Sequence, residues 1–308
     1  MILCAGLTPA WQHILVFDGF RYGEVNRARE VHWCASGKVF NAGIAAHHLG
    51  GPSLTLATVG GPPVEQIDRE FDSLGIPRRW VLTQADTRVC TTILDRASGT
   101  MTELVENGRP VTPDELDQFR RAYAEEAARA RVAVIIGSLP AGVPASFYRE
   151  LLQRTPCPAV LDFRGEGLLS VLDLKPLVVK PNREELTQTA GHPLDTDAAL
   201  HEAMRSLNRR GAQWVVVTQG AGPVWASSAS KLYRLDPLPA AEVVNPIACG
   251  DAMAAGIAWA VRDGRDMIDA FRLGMAASAE NLRDLLPCRL DPARVQARAA
   301  EVSVREYK

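Results

Sequence analysis

Asp251 is the one acid in NPIACGDAMAAG, residues 245–256, where a strand-like run at 241–244 gives way to helical spacing at Met253, Ile257 and Ala260. An acid in the first turn of a helix is stabilised by the helix dipole, and that reading is sufficient by itself. A second reading gives it chemistry. The free amides of Ala248, Cys249, Gly250 and Asp251 would form a positive hole for an anion. A carboxylate repels phosphate, so its presence there serves proton transfer and not charge binding. Small residues at 248–250 would let an anion approach the backbone. Amides that stabilise a moving group, beside a carboxylate that takes a hydroxyl proton, suit phosphoryl transfer.

Lys38, in Ser36-Gly37-Lys38-Val39-Phe40-Asn41, opens another helix. A lysine there opposes the dipole, which is either a small cost borne by a solvated rim residue or a sign that an anion binds nearby. The chain has no GxxxxGK[ST] loop, so the motif is not Walker A. Gly220-Ala221-Gly222-Pro223 lacks the third glycine of a dinucleotide fingerprint, and a hairpin-like segment follows. Asn182-Arg183-Glu184-Glu185 reads as a capping box. Alternatively, Glu185 helps to hold, through water, a magnesium that carries nucleotide phosphates.

The elements that must position these residues are legible. Leu3–Leu7, Val132–Ile136, Ala159–Leu161, Leu177–Val179 and Trp214–Val217 are short apolar runs, as strands buried on both faces require. Helical segments alternate with them: Lys38 to Leu49, one capped by Thr112-Pro113-Asp114-Glu115, and one from about Thr196 to Gly211. This alternation predicts an α/β fold with a mostly parallel sheet sandwiched by helices. Residues about 13–34 and 88–106 read instead as short alternating strands, predicting a small antiparallel β-lid. No linker or repeat divides the chain, so residues 1–308 are expected to form one domain with a lid.

Composition excludes other classes. Thirty-four basic against 36 acidic side chains give a net charge of -2, which offers no electrostatic case for nucleic acid or anionic membrane. No signal-peptide pattern and no apolar run near about 18 residues occurs. Six cysteines, none at metal or redox spacing, read as free thiols in a reducing, cytoplasmic setting. His47 and His48 are adjacent and point apart on a helix, so they read as ordinary helix surface.

The order of the motifs is more specific than any one of them. Leu7-Thr8-Pro9-Ala10, Gly23-Glu24-Val25-Asn26-Arg27, the Lys38 helix start, Thr87-Arg88, Gly137-Ser138-Leu139-Pro140, Asn182-x-x-Glu185, Thr218-Gln219-Gly220, the Asp251 turn and Gly274-Met275-Ala276-Ala277 follow one another. Together they resemble, essentially end to end, the phosphofructokinase B group of the ribokinase-like sugar kinases, with 1-phosphofructokinase and tagatose-6-phosphate kinase nearest in appearance. The resemblance implies ATP-dependent phosphorylation of a ketohexose phosphate such as fructose 1-phosphate, fructose 6-phosphate or tagatose 6-phosphate, with magnesium. It implies Asp251 as general base, with the amides of Ala248, Cys249 and Gly250 beside it as anion hole. Asn182 and Glu185 would support Mg-ATP, Glu185 through water, and Thr218, Gly220 and Asn281 would surround the nucleotide. Lys38, Arg88 and Ser138 would bind the sugar's phosphate, and Arg27 would reach it from a partner's lid in a homodimer. Gln12, Gly37 and Asn41 would face the sugar.

Several positions depart from the group's pattern. Ala248-Cys249 replaces the Gly-Ala of GAGD, Gln12 replaces the acid of TLNPAxD, and Ser36 and Val39 replace glycines of GGKG. Phe163 stands where DTSG carries a small residue, and Pro223 replaces a glycine of the nucleotide loop. Two other readings follow: a kinase of an unphosphorylated sugar or nucleoside, or a catalytically impaired protein that binds sugar phosphates.

Overall fold

A computed structural model describes residues 1–239 and 243–307. In chain order the strands are β1 (Ile2–Gly6), β2 (Ala10–Phe17), β3 (Glu30–Ser36), β4 (Ser53–Val59), β5 (Arg78–Leu82), β6 (Arg88–Asp95), β7 (Thr100–Val105), β8 (Val132–Ile136), β9 (Ala159–Asp162), β10 (Val178–Val179), β11 (Trp214–Val217), β12 (Val224–Ser227), β13 (Leu232–Leu235) and β14 (Val304–Glu306). The helices are α1 (Lys38–His48), α2 (Pro63–Ser73), α3 (Pro113–Ala127), α4 (Ser146–Gln153), α5 (Gly165–Leu169), α6 (Arg183–Ala190), α7 (Asp197–Arg209), α8 (Cys249–Arg262), α9 (Met267–Asn281) and α10 (Pro292–Ala299).

Ten strands form the main sheet in the order β14-β13-β12-β11-β10-β9-β8-β1-β4-β5. From β5 to β11 neighbours run parallel; β12, β13 and β14 are added antiparallel at one edge. Alternate residues of one strand feed opposite cores. Ile2 and Cys4 pack with α1, α8 and α9, whereas Leu3 and Ala5 pack with α3, α4 and α7. With both faces covered there is no polar side to leave in the sequence, which is why β1 and β8 read as unbroken apolar runs. The expected caps are present: Thr112 and Glu115 close a capping box on α3, and Thr196 caps α7.

The lid is a four-stranded sheet in the order β3-β2-β6-β7. Its outer pairs are antiparallel, as expected, but the central pair β2–β6 runs parallel, Ala10 opposite Arg88 and Phe17 opposite Asp95. A parallel pair needs a long crossover, and here α1, β4, α2 and β5 supply it. Ile14, Val16, Cys34 and Leu94 form the lid's own core against Leu285 and Leu286. A strand at 241–244 is not found in the described part. Ala241 and Glu242 lie outside the described residues, and Val244 donates its amide to the Leu282 carbonyl at 2.8 Å, not to a sheet neighbour. Among the described residues no helix is long and apolar enough to cross a membrane.

Candidate active site

The site lies where parallel strands end, the edge at which open α/β sheets bind ligands. Two helices begin there without side-chain caps. Gly37 precedes α1 at φ 80°, and a Cβ at 37 would lie 2.9 Å from the Ala10 amide and 3.0 Å from the Thr8 carbonyl. Only glycine fits that turn, and it holds the start of α1 against the base of the lid. Ala248 precedes α8 at φ 67°, left-handed although it is not glycine.

Asp251, in the first turn of α8, is buried, and its Oδ2 accepts a 2.8 Å hydrogen bond from Asn41 Nδ2 on α1. Asn41 Oδ1 in turn accepts one from the Ser36 hydroxyl at 3.1 Å. Burial, reinforced by the charge of Asp162, pushes the Asp251 carboxyl up to about 7 against the opposing pull of Lys38, Asn41 and Lys180. A carboxylate tuned near neutral pH is a competent general base.

Beside it runs a chain of charges. Lys38 Nζ lies 2.8 Å from Asp162 Oδ1 and 2.9 Å from Glu185 Oε1, while Lys180 Nζ lies 2.8 Å from Asp162 Oδ2. Burial pushes the Asp162 carboxyl up, but the two ammoniums outweigh it and hold it below its ordinary value. Burial disfavours the Lys38 ammonium, and the carboxylates of Asp162, Glu185 and Asp251 more than restore it. Lys38 is therefore a charged lysine held by carboxylates from β9 and α6. Sequence reasoning missed Asp162 and Lys180. Their signal was a charged residue closing an otherwise apolar strand run, Ala159-Val-Leu-Asp162 and Val178-Val-Lys180.

At Asn182-x-x-Glu185 the capping box is present. Asn182 Oδ1 accepts from the Glu185 amide at 2.7 Å and Glu185 Oε2 from the Asn182 amide at 2.9 Å, closing the capping box. Glu185 Oε1 is left for Lys38. Thr218 adjoins this turn, bridging to Asn182, and the exposed Gly220 follows at φ 59°. Gln219 closes the next turn by donating to the Pro223 carbonyl at 2.9 Å, an arrangement that needs no amide hydrogen on residue 223.

Arg88 and Ser138 meet around Thr8. The Arg88 guanidinium donates to the carbonyls of Pro9, Thr8 and Glu106 at 3.3, 3.1 and 2.9 Å, and the Ser138 hydroxyl lies 3.2 Å from that of Thr8. The hydrogen-bond partners of Arg88 are all neutral carbonyls. Burial pushes the Glu103 carboxyl up, and the Arg88 charge, acting from a distance, pulls it partly back. Gln12 is buried in the lid and donates to the Thr92 hydroxyl at 2.7 Å. Arg27 stands apart on the exposed turn between β2 and β3. Asn281 is buried and braces the α8 turn: its Nδ2 donates to the Ile247 carbonyl at 2.6 Å and to Cys249 Sγ at 3.4 Å, and its Oδ1 accepts from the Cys288 amide at 2.7 Å. Burial pushes the Cys249 thiol up. Phe163 points into the core, stacked on Tyr148 with centroids 3.7 Å apart, so its bulk does not enter the site.

Residues 1–289 match the pfkB family carbohydrate kinase domain. The fold is similar to that of a possible 1-phosphofructokinase from Thermotoga maritima (TM-score 0.90, 21% identity, 100% of each chain covered). It is also similar to phosphofructokinase-2 from Escherichia coli in complex with fructose-6-phosphate (TM-score 0.84, 22% identity, 98% of this chain and 99% of that one). A third similar structure is Arabidopsis thaliana ribokinase complexed with ribose and ATP (TM-score 0.75, 19% identity, 97% and 98% covered). The chain thus belongs to the pfkB family of carbohydrate kinases, and it is an ATP-dependent sugar kinase.

Proposed function

We propose that the protein transfers the γ-phosphoryl group of ATP to a hydroxyl of a ketohexose phosphate, with Asp251 as general base. The observation that carries this reading is the Asp251 carboxylate itself, buried and held by Asn41 at the uncapped start of α8. It takes the proton of the acceptor hydroxyl as the oxygen attacks phosphorus. The amides of residues 248–251 stabilise charge on the moving phosphoryl group, and the bond to ADP breaks. Arg88, whose partners are all neutral carbonyls, and Ser138 are suited to the phosphate that the acceptor already carries. An unphosphorylated acceptor would leave that guanidinium with no hydrogen-bonded counter-charge. Asn182, Glu185, Thr218 and Gly220 form the nucleotide side.

Magnesium fits the donor set. Among the described residues no group of three or more His, Cys, Asp and Glu could hold a metal, but Asp162 Oδ1 and Glu185 Oε1 are hard oxygen donors aimed at one point. Two carboxylates plus phosphates and water are the usual company of magnesium, which would neutralise phosphate charge there. The decisive experiment is an ATP-consumption screen of the purified protein against sugars and sugar phosphates, run beside Asp251→Asn. Turnover with a ketohexose phosphate, lost in the variant, is expected. Turnover only with unphosphorylated sugars would overturn the acceptor class.

We also read the lid as a self-association surface. Register puts Trp33, His13, Thr91 and Leu104 in one row across all four strands, with Trp33 stacked on His13 and both Trp33 and Leu104 about half exposed. An open apolar sheet face of this kind is a protein–protein contact.

A further inference from the structure

The Lys38 ammonium sits between two carboxylates that are fixed, and it is the one member of the cluster free to leave. Asp162 has one oxygen held by Lys180 and the other on Lys38; Glu185 has one oxygen held by the Asn182 amide and the other on Lys38. Asp162 ends a buried strand with its side chain 1% exposed, and Glu185 is locked in a capping box at 11%. Lys38 has a flexible four-carbon stem and a side chain 36% exposed. It also stands in the first turn of α1, which contains no acid, so the helix dipole works against it. The carboxylates hold it there; an entering phosphate would offer a second place to go.

The charges explain what its departure does. With Lys38 in place, Asp162, Glu185 and Asp251 face two ammoniums. With Lys38 withdrawn they face only Lys180, and a cation in the place of Lys38 would relieve the surplus of negative charge. We propose that Lys38 occupies, in the substrate-free protein, the position that a divalent cation takes during turnover, and that the acceptor's phosphate draws it out. The proposal rests on the phosphosugar-kinase reading for the anion that moves the lysine, but not for the competition itself. Its consequence is coupling: acceptor binding creates metal affinity, and by reciprocity the metal strengthens acceptor binding. Without an acceptor the metal position stays closed, which disfavours transfer of the phosphoryl group to water.

The test is Mn2+ binding, followed by the free-ion electron paramagnetic resonance signal, on the full chain without nucleotide. Lys38→Met and Lys38→Gln differ in what they keep of the lysine's packing and hydrogen bonding, and each should bind Mn2+ about tenfold or more tightly than wild type. Adding Glu185→Gln to Lys38→Met should remove the gain. In wild type, fructose 6-phosphate or fructose 1-phosphate should tighten Mn2+ binding. Folded Lys38 variants that bind Mn2+ no better than wild type would overturn the proposal. A gain in the variants with no effect of any hexose phosphate on wild type would leave the competition standing and instead overturn the acceptor assignment.

Discussion

Because the Asp251 carboxyl is pushed up to about 7 from an ordinary 3.8, the usual stability argument for an acid at a helix start is reversed. From the dipole alone, Asp251→Asn should lose about 0.3–1 kcal/mol. With the raised value, the folded protein binds a proton that the unfolded chain releases, so ionised Asp251 costs stability above about pH 7. That cost fades as the pH falls towards the ordinary carboxylate value. Asp251→Asn should therefore be more stable than wild type near about pH 8, with the gap closing towards about pH 4, as urea titrations at the two pH values would read. Its turnover should fall about 10²–10⁴-fold, and the wild-type kcat/KM should rise through a limb near neutral pH that the variant lacks. Near-wild-type turnover would remove Asp251 from the mechanism. Ala248 is the second residue of interest. Its left-handed backbone at φ 67° is strained by a Cβ that the family's glycine lacks. Ala248→Gly should raise stability by about 0.5–1 kcal/mol, seen as a higher melting temperature. The Arg88 guanidinium, hydrogen-bonded to no carboxylate, makes the third case. Arg88→Ala should raise KM for the sugar phosphate well above any change for ATP, with about 1.5–3 kcal/mol lost per charge-assisted bond. A change confined to ATP would mean that the two ends of the site are reversed.

At the scale of elements, α8 carries Asp251 and is set by its contact with α9. A Cβ on Gly256 would lie 2.9 Å from Gly274 Cα and 2.9 Å from the Leu273 carbonyl, so the helices touch backbone to backbone. Gly256→Ala should cost about 1–3 kcal/mol by forcing them apart, and turnover should drop more than ATP affinity because the base moves with its helix. Unchanged stability in a thermal melt would contradict that packing. The parallel strands were legible because burial on both faces leaves runs such as Val132–Ile136 wholly apolar. The caps of α3, α6 and α7 were legible because they depend on residues three apart. What could not be read is what joins distant strands. A sequence displays the helix that Lys38 opens, and so suggests an anion nearby, but not the carboxylates 124 and 147 residues away that hold it in this structure. Asp162 and Lys180 were passed over for the same reason, since a charge at the end of a strand gains meaning only when its neighbours are known. Phe163 departs from the group's small residue, and its partner Tyr148, which takes up its bulk, is not visible from the sequence.

For the whole molecule, the contact proposed for the lid can be tested by breaking it. If the lid's open face is a contact between copies, Trp33→Lys combined with Leu104→Lys should shift sedimentation from dimer to monomer while leaving the main fold intact. A wild type that sediments as a monomer at working concentrations would refute the contact. The lid also has a history within each chain. Its middle joins β2 to β6 side by side in the same direction, Ala10 meeting Arg88, and everything from α1 to β5 lies in the loop between them. Closing so long a loop is entropically unfavourable until the intervening segments have folded, because they bring its ends together. The lid therefore belongs to the last stage of refolding: in pulse-labelled hydrogen exchange, amides of β1 and β8 should become protected before those of β6. A nascent or partly denatured molecule would then present a finished sheet and an unroofed site, so loss of the lid is the first damage to look for in a preparation that has lost activity but kept its helical circular dichroism.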